Sequence, residues 1–292
     1  MGHAEEQTIE RFPAETTRVS RGGWTWGPHP GLARWLARWG GRRRAFVVPL
    51  GLLLVWEGVV AAGWVSAYLL PPPSEIGRTL LELAASGRLF EHVGVSTLRV
   101  LVGFSIGASL ALIVGALVGL SRRAEDYLDP TLQALRAIPS LAWVPLLLLW
   151  LGIDEAPKIT LIAIGAFFPV YLNFVAGIAN VDRKLVEVGA IFGLTGFELI
   201  RRIFLPAALP NLFTGLRGGL SLAWMFLVAA ELIAATRGLG YLLTDGRELG
   251  RADLVISAII VLALLGKLSD GVLQWLERHS LVWRDGYDSR RA

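Results

Sequence analysis

Cysteine is absent from the 292 residues, and histidine occurs only four times. Without thiols the chain can form no disulfide, no thiolate metal site and no iron–sulfur cluster. His3, His29, His92 and His279 give no pair at helical ligand spacing, so we assign no metal. Charge is scarce as well, because Asp, Glu, Lys and Arg make up 18% of the residues, against about 25% in soluble domains. This composition argues against an ordinary soluble protein.

Apolar residues are abundant instead, at 54% of the chain, with a mean hydropathy of +0.55. A helix that crosses a bilayer needs about 20 largely apolar residues. Six windows of roughly that length occur, so the sequence predicts an all-α, polytopic membrane bundle with about six transmembrane helices. The windows are residues 45–70, 93–120, 128–151, 159–180, 212–235 and 254–273.

Lys and Arg are unevenly distributed between these windows. Most of them lie before the first window, between the second and third, between the fourth and fifth, and after the sixth. Cytoplasmic loops carry such an excess, so both termini are predicted to be cytoplasmic. The pI of 9.7 then reflects orientation in the membrane, and no nucleic-acid partner is predicted.

The domain organisation follows from the same windows. Residues 1–44 are predicted to form a cytoplasmic tail. Its segment 31–44 has Leu and Trp on one helical face and Arg on the other, a pattern typical of an interfacial helix on lipid. A helix that docks onto a partner protein is the alternative. Residues 45–286 form the transmembrane domain, and residues 287–292 a C-terminal tail. The segment after three prolines, with Ser74 as N-cap and Ile76, Leu80 and Leu83 on one face, predicts a short helix along the outer surface.

No sequence motif indicates catalysis. The P-loop pattern G-x-x-x-x-G-K-S/T fails, because Gly266 and Lys267 are followed by Leu268 and lack the upstream glycine. If ATP drives this protein, a different chain hydrolyses it.

The second window carries a stripe of small residues at every fourth position, which lets another helix approach closely. Whether that neighbour belongs to the same chain or to a second copy stays open. The stripe consists of Gly103, Gly107, Ala111, Gly115 and Gly119.

Prolines and charges within the windows indicate a transport pathway. Proline frees backbone carbonyls that lipid cannot satisfy, and intramembrane charges usually face a cavity or the bundle interior. Arg99, Arg136 and Arg217 would favour an anion; the alternatives are simple packing kinks, snorkelling, or internal pairing, for instance with Glu231. The predicted pathway residues are Arg136, Pro139, Trp143, Pro145, Pro169 and Glu231.

The segment 183–206 is too polar to cross lipid. Leu185, Val188 and Phe192 mark one face of a short helix, which the glycines at 193 and 196 should end. Thr195 and Glu198 fit a capping box for a second helix, on which Glu198 and Arg202 can pair. Two amphipathic helices joined by a bend predict a surface that docks into another protein, while a segment lying flat on lipid is the alternative.

Within this segment, Glu187, Gly193 and Leu205–Pro206 resemble the EAA loop of ABC importer permeases. In that family the loop forms coupling helices that sit in a groove of the ATPase subunit. Val188 and Gly189 stand where the family has alanines. The resemblance implies ATPase coupling by Glu187, Gly189, Gly193, Thr195, Gly196, Glu198, Arg201 and Pro206.

The resemblance extends beyond the loop over nearly the whole chain after the tail, with a core permease domain at about residues 92–276. "WLGIDEAPKI", "ALLGKLSD" and "LERHSLVWRDGY" are most similar to aliphatic sulfonate permeases, in a group that also handles taurine, nitrate and bicarbonate. This implies a type I importer fold in the bacterial inner membrane and a homodimer with two ATP-binding subunits, which hold ATP and Mg²⁺. It also implies a periplasmic or tethered binding protein.

Two other classes of function compete with this interpretation. A secondary transporter driven by an ion gradient would need intramembrane carboxylates, for which Glu57 and Glu231 are the candidates. A membrane-anchored scaffold without a pathway is disfavoured by the repeated prolines.

Overall fold

The computed structural model describes residues 47–281, and within that range every regular element is helical. The chain divides into two units, residues 1–54 and 55–292. Of the first unit only residues 47–54 are described, and they are helical. The predicted interfacial helix at 31–44 and the tail at 287–292 lie outside the described residues.

Eleven α-helices are present in the described range, with a 3₁₀ turn at Ser140–Trp143 and a π-helical turn at Ile200–Phe204. The helices are α1 Val47–Ala61, α2 Pro73–Ala85, α3 Arg88–Leu120, α4 Arg122–Ala137, α5 Val144–Leu151, α6 Glu155–Ala179, α7 Arg183–Ile191, α8 Gly196–Leu199, α9 Leu205–Ala234, α10 Leu239–Glu248 and α11 Ala252–Ser280.

Among residues 47–281, four helices are long and apolar enough to cross a membrane: Arg88–Leu120, Glu155–Ala179, Gly196–Ile233 and Ala252–Ser280. The bent pair of α4 with the segment Ser140–Leu151 makes a fifth if it is counted as one span. The polytopic all-α fold class is therefore confirmed. The first predicted window, 45–70, was too long, because α1 ends at Ala61 and turns follow. The count of six spans and the cytoplasmic termini stay predictions.

The third predicted window, 128–151, is not one kinked helix. Helix α4 already begins at Arg122, where the side chain of Ser121 accepts a hydrogen bond from Ala124 N. It ends before Ile138, which is extended because it precedes Pro139, and the chain then bends by 88°. Pro145 lies in the first turn of α5, where its missing N–H removes no helical hydrogen bond.

Helices α3, α6 and α9 form the centre of the bundle, and the small-residue stripe packs α3 against α6. A Cβ on Gly107 would overlap the carbonyl oxygen of Ala163, and one on Gly103 would lie 2.7 Å from Ile162 Cβ. Helices α6 and α9 are equally close: a Cβ on Gly219 would lie 2.9 Å from the oxygen of Ala166. The neighbour of the stripe is therefore a helix of the same chain.

The predicted surface helix is α2, which buries Ile76 and Leu83. Ser74 was wrongly predicted as its N-cap, since Pro72 holds that position. The carboxylate of Glu57 caps the helix instead, accepting hydrogen bonds from Ser74 Oγ at 2.7 Å and from Ser74 N at 3.1 Å. An acceptor from another helix satisfies the N–H groups that a helix start leaves free.

Candidate functional site

The loop between α6 and α9 is built around two glycines with positive φ. Helix α7 begins where Asp182 Oδ1 accepts a hydrogen bond from Lys184 N at 2.9 Å. It ends at Ile191 in a Schellman motif, in which Gly193 has φ of 73°. Gly193 N donates to Ala190 O at 3.0 Å, and Leu194 N donates to Gly189 O at 2.9 Å. Gly196, with φ of 52°, then starts α8. The predicted glycine bend is confirmed.

Gly189 lies inside this loop rather than on its surface. It is buried, and a Cβ there would overlap Ile203 Cδ1 and lie 2.9 Å from Leu199 Cδ1. The glycine in place of a family alanine thus lets α7 pack against the following helical segment. Its predicted part in ATPase coupling stays a prediction.

The loop exposes a cluster of large apolar side chains. Ile191, Phe192 and Phe197, here called the apolar loop patch, are 83%, 78% and 74% exposed. Leu185 and Val188 are about half exposed beside it. Soluble surfaces rarely leave such a cluster uncovered, so it has the character of a docking site.

Charged residues surround the apolar loop patch in exposed pairs. Arg183 Nε lies 3.0 Å from Glu187 Oε1, and Arg202 Nη2 lies 3.4 Å from Glu198 Oε1, which confirms the predicted pairing. Arg201 is also exposed. Such pairs add at most about 1 kcal/mol to stability, so these side chains can change partner at little cost.

The predicted capping box is wrong in one respect. Thr195 occupies the N-cap position of α8, but its side chain makes no capping hydrogen bond. Helix α8 continues through the π turn, where Leu205 N donates to Ile200 O, into α9, with Pro206 in the first turn. The loop therefore runs into a membrane-spanning helix without a break.

Four of the predicted pathway residues lie at or beside the bend between α4 and α5. Pro139 and Pro145 flank the 3₁₀ turn, Trp143 closes it, and Arg136 is exposed in the last turn of α4 with Nη1 3.3 Å from Gln133 Oε1. Pro169 lies inside α6 against α9, and Glu231 lies near the end of α9. The structure thus groups only part of this set.

Glu231 belongs to a buried ionic network at the end of the bundle opposite the loop. Its side chain is fully buried, and Oε1 lies 2.8 Å from Arg99 Nη1. The guanidinium of Arg99 also binds Glu155 through two hydrogen bonds of 2.6 and 2.5 Å. Ser96 Oγ donates to Glu231 at 2.8 Å, and Lys158 Nζ lies 3.1 Å from Glu155 Oε1. The network joins α3, α6 and α9.

The same network fixes the link between α9 and α10. Arg99 Nη1 donates to the carbonyl oxygen of Arg237 at 2.6 Å, and Gly240 N donates to Glu231 Oε2 at 2.7 Å. Gly238 has φ of 123°, and a Cβ there would overlap the carboxylate of Glu231. Only glycine therefore lets this backbone close over the buried charge.

The predicted positive bias of the pathway is largely cancelled by internal pairing, the alternative considered from the sequence. Arg99 is neutralised by Glu155 and Glu231. Arg217 pairs with Asp270 at 2.8 Å rather than with Glu231. Sequence reasoning missed Ser96 and Glu155, and the only available signal was that a buried arginine and a buried glutamate each require a partner.

A second polar contact joins α2 to α11 through Asp253. Thr79 Oγ1 donates to Asp253 Oδ2 at 2.7 Å, and Arg251 Nη2 lies 2.6 Å from the same oxygen. The hydrogen bond to Asp253 raises the pKa of Arg251 above its ordinary value, so this guanidinium stays charged. The Thr79–Asp253 hydrogen bond holds the surface helix α2 to the start of α11.

Comparison with known proteins gives consistent matches. Residues 104–281 match the family model described as "Binding-protein-dependent transport system inner membrane component". The putative aliphatic sulfonates transport permease protein SsuC of Bacillus subtilis (strain 168) is 44% identical over 248 residues, which cover 85% of this chain and 90% of that protein. The taurine transport system permease protein TauC of Escherichia coli (strain K12) is 35% identical over 237 residues, covering 80% and 86%.

A solved structure titled "Crystal structure of an amino acid ABC transporter with histidines" shares the fold. It superposes with a TM-score of 0.54 at 16% sequence identity and covers 68% of this chain and 94% of its own. At this identity the likeness concerns the arrangement of helices alone.

Proposed function

Because this chain belongs to the family of binding-protein-dependent transport system inner membrane components, we propose that it carries aliphatic sulfonates across the inner membrane. It is a multi-pass, non-catalytic permease of an ABC importer, a role that implies association with ATPase and substrate-binding subunits. The sulfonate assignment depends on one observation, the 44% identity to a relative named as a sulfonate permease over 85% of this chain. Taurine, nitrate and bicarbonate are the alternative substrates, and the TauC match keeps taurine first among them.

The proposed assembly contains two copies of this chain, two ATP-binding subunits that hold ATP and Mg²⁺, and one periplasmic or tethered binding protein. The apolar loop patch supports the docking of an ATPase subunit, since it exposes two phenylalanines and an isoleucine beyond the end of a membrane-spanning helix. Glu187, Glu198 and Arg201 stand around it as exposed charges. Gly193, Thr195 and Gly196 shape the bend, and Pro206 begins α9.

The proposed pathway uses the bend between α4 and α5. Arg136 with Pro139, Trp143 and Pro145 stands at a break where backbone groups leave the helical pattern. Such breaks in a membrane protein must be covered by protein or by water. Pro169 and Glu231 act through the packing of α6 and α9 that positions this bend.

Replacing Arg136 by Ala should lower uptake while the complex still assembles. Unchanged uptake would remove Arg136 from the pathway.

The substrate proposal is tested with the purified importer reconstituted in liposomes. Its ATPase activity is measured with the binding protein and either butanesulfonate, taurine, nitrate or bicarbonate. We expect the strongest stimulation with butanesulfonate. Stimulation by an inorganic anion alone would refute the sulfonate assignment and leave the permease role intact.

The docking proposal is tested by Phe192→Asp, which places a charge at the centre of the apolar loop patch. We expect the amount of ATPase subunit that co-purifies to fall at least tenfold. Leu249→Asp is the matched control, since Leu249 is 62% exposed but follows α10, at the opposite end of the α6–α9 hairpin. Proton- or sodium-driven uptake by the purified chain alone would instead support the secondary transporter.

A further inference from the structure

Two cavities follow one another along the groove between α3 and α6, and Ile159 forms a wall of both. The first, of about 410 Å³, is lined by Arg99, Glu155, Thr236 and Arg237 together with apolar residues at 95, 98 and 102 of α3. The second, of about 420 Å³, begins at Ile106 and is almost wholly apolar. We call the pair the two-part groove. Each part has the volume of a small-molecule site.

The charged part offers one accessible cation. Arg99 is itself occupied, because Glu155 and Glu231 neutralise it. The side chain of Arg237 is 67% exposed and forms an ion pair of 3.3 Å with Glu91, which is half exposed, so an anionic ligand has to replace Glu91 as its partner. An exposed pair of this kind adds at most about 1 kcal/mol, which a bound sulfonate can offset. The neighbouring Thr236 is exposed as well. Arg99 holds the carbonyl oxygen of Arg237, so the backbone that presents this guanidinium and hydroxyl is fixed.

The lining of the apolar part does not need a polar ligand to complete its hydrogen bonds. Its walls include Leu110, Leu135, Trp143 and Phe168. The hydroxyl of Thr160, which also lines it, already donates to Ala156 O at 2.8 Å. Hydrocarbon is therefore the group that this part accommodates best, because only apolar surface can be buried there without loss of hydrogen bonds.

The groove is oriented along the membrane-spanning direction. Its charged part lies at the start of α6, the end opposite the coupling loop, and its apolar part reaches Phe168. At 1.5 Å per residue, the distance from Glu155 to Phe168 is about 20 Å, roughly two thirds of a bilayer core. The charged part thus lies on the side from which an importer receives its substrate.

We propose that the two-part groove binds the transported sulfonate itself, an inference that rests on the proposed function. The sulfonate group sits at Arg237 and Thr236, and the aliphatic chain lies along Ile159 toward Ile106. A guanidinium can donate two parallel hydrogen bonds to such an oxyanion. The permease then selects for chain length in addition to any selection by the binding protein.

The physical signature is a dependence of affinity on chain length. Each methylene buried in the apolar part should tighten binding about fourfold. The gain stops when the apolar part is full. Loss of the Arg237 guanidinium should lower the affinity for sulfonates of every chain length by a common factor of about ten.

The experiment uses the permease–ATPase complex in lipid nanodiscs without binding protein, titrated calorimetrically with butane-, hexane- and octanesulfonate. In the native complex we expect saturable binding that tightens with length. Ile106→Trp should fill the start of the apolar part and abolish the length dependence. Ile113→Trp is the matched control, since both isoleucines are exposed on α3 and Ile113 does not line the groove.

A second pair of variants tests the charged part. Arg237→Gln should lower the affinity for all three sulfonates by the same factor. Arg247 is an exposed arginine outside the groove, so Arg247→Gln should leave these affinities unchanged. The substituted side chains are all exposed, so folding should be preserved. Equal affinity for hexanol and hexanesulfonate would overturn the proposal, because it would show no anion recognition.

A lipid occupant would overturn it as well. This outcome would appear in native mass spectra as an anionic phospholipid retained by the native complex and lost from Arg237→Gln. The proposal about the groove and the proposal about the substrate can be refuted separately. Sulfonate-stimulated ATPase activity without sulfonate binding by the nanodisc complex would refute the groove alone, whereas no response to any sulfonate in either assay would refute the proposed substrate.

Discussion

Removal of the Arg99 side-chain charge should destabilise the bundle more than other single changes in charged residues described above. Arg99→Met keeps the length and apolar stem of the side chain but deletes the guanidinium. It leaves the carboxylate of Glu231, which is fully buried, with hydrogen bonds only from Ser96 and from the backbone of Gly240. A buried charge without a counter-charge is costly, because the protein interior solvates it poorly.

The expected magnitude follows from burial. Breaking a buried ion pair by removing one partner costs about 3–5 kcal/mol. For a chain of this size 1 kcal/mol lowers the unfolding midpoint by about 2–4 °C. Arg99→Met should therefore unfold roughly 6–20 °C below the native protein. Glu155→Gln should have a much smaller effect, because Glu155 is half exposed and water can replace the lost contact.

The assay is thermal unfolding in detergent, followed by fluorescence-detected size exclusion. The decisive comparison is with Arg99→Met/Glu231→Gln, which removes both charges. If the uncompensated carboxylate causes the loss, this double variant should recover at least half of the lost midpoint. A single variant as stable as the native protein, or a double variant no more stable than the single, would refute the reasoning.

Two further predictions concern glycines. Gly107→Val should prevent folding, because its Cβ would overlap the carbonyl oxygen of Ala163. The control Gly94→Ala adds a Cβ that meets no atom within 4 Å, so this variant should express and unfold like the native protein. Size-exclusion profiles distinguish the two outcomes. Gly193→Ala should cost about 1–2 kcal/mol, since φ of 73° is strained for alanine, and should lower sulfonate-stimulated ATPase activity more than basal activity. Equal loss of both activities would contradict a role in coupling.

Features that depend on local pattern could be predicted from the sequence. The apolar windows located α3, α6, α9 and α11, because lipid imposes both length and composition on a spanning helix. The glycine bend of the loop followed from two residues that favour positive φ, at 193 and 196. The family resemblance through Glu187 and Leu205–Pro206 gave the class of protein, which the family match confirms.

Features that depend on tertiary contacts could not be predicted. Glu155 lies 56 residues from Arg99, and Glu231 lies 132 residues from it, so no spacing rule connects them. The break after α4 was missed because hydrophobicity continues across Ile138 and Pro139, and only the direction of the chain changes. The N-cap of α2 was misplaced because Pro72 holds that position, and the acceptor for Ser74 N is a carboxylate 17 residues away, that of Glu57.

The close packing of α3, α6 and α9 has a mechanical consequence. At several positions glycine stands between these helices, so their backbones are in direct contact. Little free volume remains there to absorb a displacement of one helix against another. Helix α9 is continuous with the segment that begins at Gly196, and its far end carries Glu231. A tilt imposed at the loop is passed along one helix of about 55 Å, at 1.5 Å per residue, which bends most easily near its loop end, at the π-helical turn and at Pro206 and Pro210. At its far end the helix is held to α3 by the Arg99–Glu231 ion pair, so the two helices move together there.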